Sequence, residues 1–203
     1  MALASAGETF ALGTSGAGTG ATTATFKGGL GSASARLSNG AVIGALVAVN
    51  ALGSATMGDT PHFWAAPFER DGEFGGLGLP SEAPGADAIH TKFNAARPGA
   101  NTTIGIVATD LALDKAALKR LAIMTHDGYA RALWPSHTAL DGDLVFALST
   151  GRVPLREEMA ETIEAGALAA AVMSRAIARA VHAATPAPGD TLPAWSQHFG
   201  GRP

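Results

Sequence analysis

From Gly99 to Ile106 the chain reads Gly-Ala-Asn-Thr-Thr-Ile-Gly-Ile, a bendable segment running into a threonine that opens an apolar, β-prone run. Residue types in that order suit one chemistry in particular, cleavage of the chain by itself. A flexible loop lets the Thr102 hydroxyl reach the carbonyl of Asn101, and a strand behind it holds the new amino terminus toward a substrate. Once free, Thr102 would carry its own base, because an α-amino group titrates near ~8 and can take the hydroxyl proton as the oxygen attacks. The same residues also read as an ordinary loop followed by a buried strand, with Asn and Thr in common turn roles. Taken alone, they favour that plainer reading.

Other polar residues stand where such a reaction would need them. Lys27, within Thr25-Phe-Lys-Gly-Gly-Leu-Gly31, is a lone cation among small residues. It reads as a solvated surface lysine, or as a charge that keeps a nearby terminal amine neutral and steadies developing negative charge. Asn50 closes an apolar run, either as a strand-end turn or as an amide donor aimed at an oxyanion. In His137-Thr-Ala-Leu-Asp-Gly-Asp143 the Asp-Gly pair suits a plain turn; alternatively, Asp141 and Asp143 orient the ammonium and hydroxyl of Thr102. His126 and His137 lack the i, i+4 spacing of a zinc-binding helix, and no cluster points to a metal. Gly16-Ala-Gly-Thr-Gly-Ala21 has no apolar strand before it, no clear helix after it and no acidic residue about 20 positions on, so it reads as tight turns and not as a dinucleotide loop. No cofactor is expected.

The elements that would position these residues follow from periodicity. Residues 41–50 form a near-continuous apolar run suited to a strand covered on both faces. Residues 54–100 hold most of the prolines and little periodicity, and read as a long, partly mobile connection that presents the Asn101–Thr102 bond. Residues 103–109 predict a buried strand. Asp114 suits a helix N-cap, with apolar positions recurring from Ala117 to Ala132 until Pro135 stops them. A second strand begins at Leu144, a long Ala-rich helix covers 156–184, and the Pro/Gly-rich tail from Thr185 reads as frayed. The later half thus predicts strand–helix–strand–helix, an α/β layer arrangement. The 26 glycines and abundant alanine imply close helix–sheet or subunit contact, so a homo-oligomer is expected.

Composition bounds the rest. At 203 residues, 47% hydrophobic and 15% charged, the chain is of single-domain size with a substantial core. A net charge of −3 gives no basic footprint for nucleic acid, and one Tyr with three Trp gives no stacking platform. The absence of cysteine excludes disulfides, thiolate metal sites and a cysteine nucleophile. The opening residues lack the basic and apolar regions of a signal peptide, and no stretch is apolar for long enough to span a bilayer. The expectation is a cytoplasmic protein with neither nucleic-acid nor membrane partners.

Taken in order, these residues resemble the self-processing L-aminopeptidase/D-esterase family of N-terminal-nucleophile hydrolases, which includes β-peptidyl aminopeptidases and nylon-oligomer hydrolases. The resemblance is carried by Gly99-Ala-Asn-Thr-Thr-Ile with Val107-Ala-Thr-Asp110, by the helix from Leu118 to Leu133, and by Pro135-Ser-His-Thr-Ala-Leu-Asp-Gly-Asp143. Upstream, Gly16-Ala-Gly-Thr-Gly-Ala21, Lys27-Gly-Gly-Leu-Gly-Ser-Ala-Ser34 and Val47-Ala-Val-Asn50 fit in the same order, whereas 54–100 matches poorly. The resemblance implies an αββα sandwich, incomplete at the amino terminus because family precursors are longer. It also implies one cut between Asn101 and Thr102, giving segments 1–101 and 102–203. Thr102 would be the nucleophile, Lys27 and Asn50 would lie around the reacting centre, and Asp141 and Asp143 would hold the nucleophile. The expected substrate is a small peptide or other linear amide. The alternatives are an acyltransferase similar to glutamate N-acetyltransferases, and an inactive shortened homologue serving as an oligomeric scaffold.

Overall fold

A computed structural model describes residues 7–82, 84–85, 89–93 and 101–200. Its centre is one four-stranded sheet of order β1 (Gly29–Arg36), β2 (Val42–Val49), β3 (Ile104–Leu111) and β4 (Leu144–Val153). The first three strands pair antiparallel, and β3 pairs with β4 in parallel. A parallel pair needs a crossover, and α1 (Lys115–Ala130) supplies it. The Asp114 carboxylate accepts the Ala117 N–H at 2.7 Å, capping the helix as its residue type predicts.

The long helix α2 (Glu158–His182) lies across β1 and β2 beside α1, so both helices cover the same face of the sheet. Side chains alternate along a strand, and Ile43, Ala45, Val47 and Val49 of β2 are buried on that face. On β1 the corresponding positions are Gly29, Gly31, Ala33 and Ala35. A Cβ at Gly31 would stand 1.9 Å from the Ala176 carbonyl oxygen, so only glycine lets the helix backbone come this near. Ala169, Ala176 and Ala180 of α2 are fully buried in this packing. The alanines that suggested a subunit contact therefore face the chain's own sheet. On the opposite face Ile104, Phe146 and Leu148 are exposed.

Two stretches differ from expectation. The segment after β2 is irregular in backbone, yet Phe63, Ala65 and Phe74 belong to the core, and Glu73 makes a bidentate ion pair with the buried Arg175 of α2. Its prolines and glycines break periodicity without preventing burial. The tail from Thr185, expected to fray, instead ends in α3 (Trp195–Phe199), with both terminal aromatics buried. Phe199 meets Phe26 at 5.4 Å, Trp195 meets Phe63 at 5.7 Å, and the Trp195 indole N–H donates to the Pro61 carbonyl. Two large aromatic side chains outweigh the local Pro/Gly signal.

Candidate active site

The Asn101–Thr102 peptide is pinned where three strand ends converge. Thr102 N–H donates to the Asn50 carbonyl at 2.9 Å, extending the β2–β3 register beyond Ala48 and Ile104. On the other side Asn101 bridges Asp141 in parallel, and the Gly142 N–H donates to the Asn101 carbonyl oxygen at 2.9 Å. The same oxygen accepts from the Thr102 hydroxyl at 2.6 Å. The hydroxyl thus rests against its neighbour's carbonyl, and a backbone donor already points at the oxygen that would become an oxyanion. A Cβ at position 142 would lie 2.7 Å from Thr102 Oγ1, so a glycine is required for the hydroxyl to stay there. Asn101 is buried and Thr102 half-buried. The preceding Gly99 and Ala100 lie outside the described residues.

The two aspartates of the Asp-Gly-Asp run do different things. Asp143 turns inward, and its Oδ1 accepts the Thr103 N–H at 2.8 Å, one residue beyond the junction. Its Oδ2 lies 3.0 Å from Nδ1 of His137 but makes no well-aligned hydrogen bond. Burial pushes the Asp143 carboxyl above the ordinary range; the Thr103 N–H opposes this, and the like charge of Asp141 adds to it. Asp141 instead fastens the frame. Its Oδ1 accepts the Leu52 N–H at 3.1 Å, and its Oδ2 accepts both the backbone N–H (3.0 Å) and the hydroxyl (2.7 Å) of Thr138. Below them the buried Tyr129 hydroxyl donates between the carbonyls of Thr103 and Leu144, tying the starts of β3 and β4 together.

Asn50 is held from the side by a residue the sequence pattern did not single out. Its Oδ1 accepts the Thr22 N–H at 3.1 Å and the Lys92 ammonium at 3.0 Å. Two donors on one atom orient the carboxamide and turn its NH₂ away from them. Lys92 is 4% exposed, and its backbone N–H donates to the Leu52 carbonyl. Burial draws its amine down to about 8, while the Asp141 charge works the other way. Lys27 is also buried, but its ammonium is clamped by both oxygens of Asp190 at 2.6–2.7 Å. Its backbone bridges Thr22, whose N–H and hydroxyl both reach Asn50 Oδ1.

The structure therefore gathers Asn50, Asn101, Thr102 and Asp143 at one junction, with Asp141 bracing it and Lys27 bound to the C-terminal segment. Lys92, Gly142, Tyr129 and His137 join the group from outside the expected set. Among the described residues no cluster of His, Asp and Glu could hold a metal ion, and no helix is long and apolar enough to cross a membrane.

The sequence model of Peptidase family S58 matches residues 1–192. An uncharacterized aminopeptidase of Mycobacterium tuberculosis (strain ATCC 25618 / H37Rv) is 40% identical over 211 residues, covering 98% of this chain and 60% of that protein. A 6-aminohexanoate-oligomer endohydrolase of Kocuria sp. (strain KY2) is 34% identical over 55 residues, 27% of this chain and 16% of its own. Among solved structures, the L-aminopeptidase D-Ala-esterase/amidase of Ochrobactrum anthropi, described as a variant of the Ntn-hydrolase fold, has a TM-score of 0.63 at 25% identity and covers 93% of this chain and 51% of its own. A Burkholderia sp. β-aminopeptidase has a TM-score of 0.60 at 22% identity, over 94% and 53% of the two chains. The chain spans three fifths of the mycobacterial relative and about half of the two solved structures. The sheet with α1 and α2 has the Ntn-hydrolase fold, and the described residues supply one β layer and the α layer that covers it.

Proposed function

Since the chain belongs to peptidase family S58, we propose that it is a self-cleaving hydrolase of peptide or other linear amide bonds, with Thr102 as its nucleophile. The observation that carries this reading is the Asn101 carbonyl held between the Thr102 hydroxyl at 2.6 Å and the Gly142 N–H at 2.9 Å. In the uncut chain the Thr102 nitrogen is an amide and offers no base. The inward-facing Asp143 is the carboxylate the junction provides, and its raised affinity for a proton suits that duty. Thr102 Oγ1 attacks the Asn101 carbonyl carbon and gives up its proton, while the Gly142 N–H stabilises the oxyanion. The C–N bond breaks as the Thr102 nitrogen takes a proton, leaving an ester between Asn101 and Thr102. Water then adds to that ester and releases the Asn101 carboxylate, the hydroxyl and a new amino terminus.

The mature site repeats the chemistry on a substrate. The Thr102 amine accepts the hydroxyl proton, the oxygen attacks an amide carbonyl, and the leaving amine departs with a proton. Water resolves the acyl-enzyme. Asn50, whose Oδ1 is engaged by Thr22 and Lys92, is assigned as a second oxyanion donor through its carboxamide NH₂. The relatives described as an aminopeptidase, an amidase and an oligomer endohydrolase support small linear amides as the substrate class.

Thr102→Ala tests the reading. The variant is expected to remain a single chain and to release no amine from aminoacyl amides that the wild-type protein hydrolyses. Turnover retained by Thr102→Ala would dismiss Thr102 as the nucleophile. An added primary amine that captured most of the acyl group would favour acyl transfer over hydrolysis.

A further inference from the structure

His137 has no part in the chemistry above, yet it is held in an unusual way. It sits in the connection between α1 and β4 at φ +52, a left-handed conformation uncommon for a residue with a side chain. Such a conformation persists where the surroundings over-determine it, often at a functional site. Here they do so from three sides. Nδ1 of His137 lies 3.0 Å from Asp143 Oδ2, and Nε2 lies 3.2 Å from Nδ1 of His126 on α1. The ring packs on Tyr129 at 5.3 Å and on His126 at 4.8 Å between centroids. The result is a row of three titratable side chains. It starts at Asp143, 3% exposed beside the junction, passes through His137, 35% exposed, and reaches His126.

We infer that His137, backed by His126, is a positioning residue that sets the charge and orientation of Asp143 and so couples the Thr102 reaction to pH. This rests on the reading that Asp143 serves the Asn101–Thr102 junction. Burial and the neighbouring Asp141 both favour a proton on Asp143; the Thr103 N–H and His137 favour its ionised form. His126 is itself held below the ordinary histidine range by burial and by His137, while Asp143 and the adjacent Asp127 act in the opposite direction. Two neighbouring imidazoles accept one proton far more readily than two. A positive charge on the pair, placed at His137, lies 3.0 Å from Asp143 Oδ2 and favours the buried carboxylate's anion. When neutral, the row is also self-consistent. His137 then turns its Nδ1 side toward Asp143 Oδ2 at 3.0 Å without an aligned hydrogen bond, and its bare Nε2 accepts from Nδ1–H of His126.

The sign follows directly. Removing the His137 ring removes an interaction that favours the Asp143 anion, so the carboxyl takes up its proton at higher pH. His137→Asn and His137→Gly are suitable variants, because both residues accept the left-handed backbone. Two measurements on the full chain separate the possibilities. In a Thr102→Ala background, which cannot react, ¹³C NMR follows the Asp143 carboxyl through a pH titration. With Thr102 present, intact mass follows self-cleavage against pH. The Asp143 midpoint is expected to move upward by about one pH unit or more in both variants. The acid limb of the cleavage rate should move with it, leaving the plateau at higher pH within a few-fold of wild type. A midpoint that stays put or falls, or a rate lowered equally at every pH, would overturn the assignment. Failure of the wild-type chain to cleave at any pH would instead count against Thr102 itself, and the carboxyl titration would still decide the role of His137.

Discussion

Gly142→Ala isolates the geometry on which the account depends. Gly142 is not in the left-handed φ range, so alanine meets no strain of that kind; the conflict is spatial. The added Cβ would lie 2.7 Å from Thr102 Oγ1 and 3.7 Å from the Asn101 carbonyl oxygen. The first contact is well inside van der Waals range, and the hydroxyl must yield, either by rotating about χ1 or by shifting with its backbone. Either route takes Oγ1 off the carbonyl it now touches at 2.6 Å. Misplacing a reacting atom by an ångström costs roughly 10²-fold in rate, and a shifted Gly142 N–H would weaken an oxyanion donor worth ~10²–10³. Self-cleavage should therefore slow by about 100-fold. Since the clash falls on one small side chain, stability should drop by no more than ~1–3 kcal/mol, the usual range for overpacking. A time course of intact mass under denaturing conditions reads the rate, and a thermal melt reads the fold. Cleavage at the wild-type rate in a folded Gly142→Ala chain would refute the reasoning.

Asp143→Asn should slow cleavage strongly yet raise the melting temperature near neutral pH. The wild-type carboxyl binds its proton more tightly folded than unfolded, so its contribution to stability falls as pH rises; a melting temperature lower than wild type at pH 7 would contradict this. Lys92 has the opposite sense: its amine is held near 8 in the folded chain, so this group makes wild-type stability rise with pH between about 8 and 10.5. Lys92→Met should abolish that rise, which is on the order of 3 kcal/mol, and should slow cleavage by loosening Asn50. Denaturant titrations at pH 8 and 10 check the first effect, and an unchanged slope would disprove it. Asp190→Asn leaves the buried Lys27 ammonium without its counter-charge and should lower the melting temperature, with partial recovery in Lys27→Met/Asp190→Leu; no loss in the single variant would show the ion pair to be dispensable. A homo-oligomer is a proposal for which the exposed Ile104, Phe146 and Leu148 offer a surface; light scattering tests it, and a strictly monomeric mass would end it.

The sequence made the regular, apolar elements plain and concealed those that depend on distant partners. The run at 41–50 became β2, the Asp114 cap became the start of α1, and the Ala-rich stretch became α2, each within about two residues. Local alternation and helical spacing suffice for such segments. β1 gave no signal of its own, because Gly-Leu-Gly-Ser-Ala-Ser-Ala-Arg has little intrinsic strand preference. It is a strand because β2 pairs with it and α2 needs its missing side chains. That Asn101, Thr102 and Asp143 meet was legible because an Asn-Thr pair opening one strand and an Asp-Gly-Asp run before the next are recognisable by residue type. The Lys92–Asn50 contact joins residues 42 positions apart, and the Lys27–Asp190 pair joins residues 163 apart. No local pattern announces such meetings, and the Lys27 ammonium therefore sits on Asp190 of the C-terminal segment without any sign of it in the sequence.

Whether the Thr102 hydroxyl breaks the bond behind it is read from the intact mass of the purified wild-type chain under denaturing conditions. Two fragments meeting at Asn101 and Thr102 are expected, with the second beginning Thr-Thr-Ile by amino-terminal sequencing. A single uncut mass after prolonged incubation across the pH range would contradict this expectation.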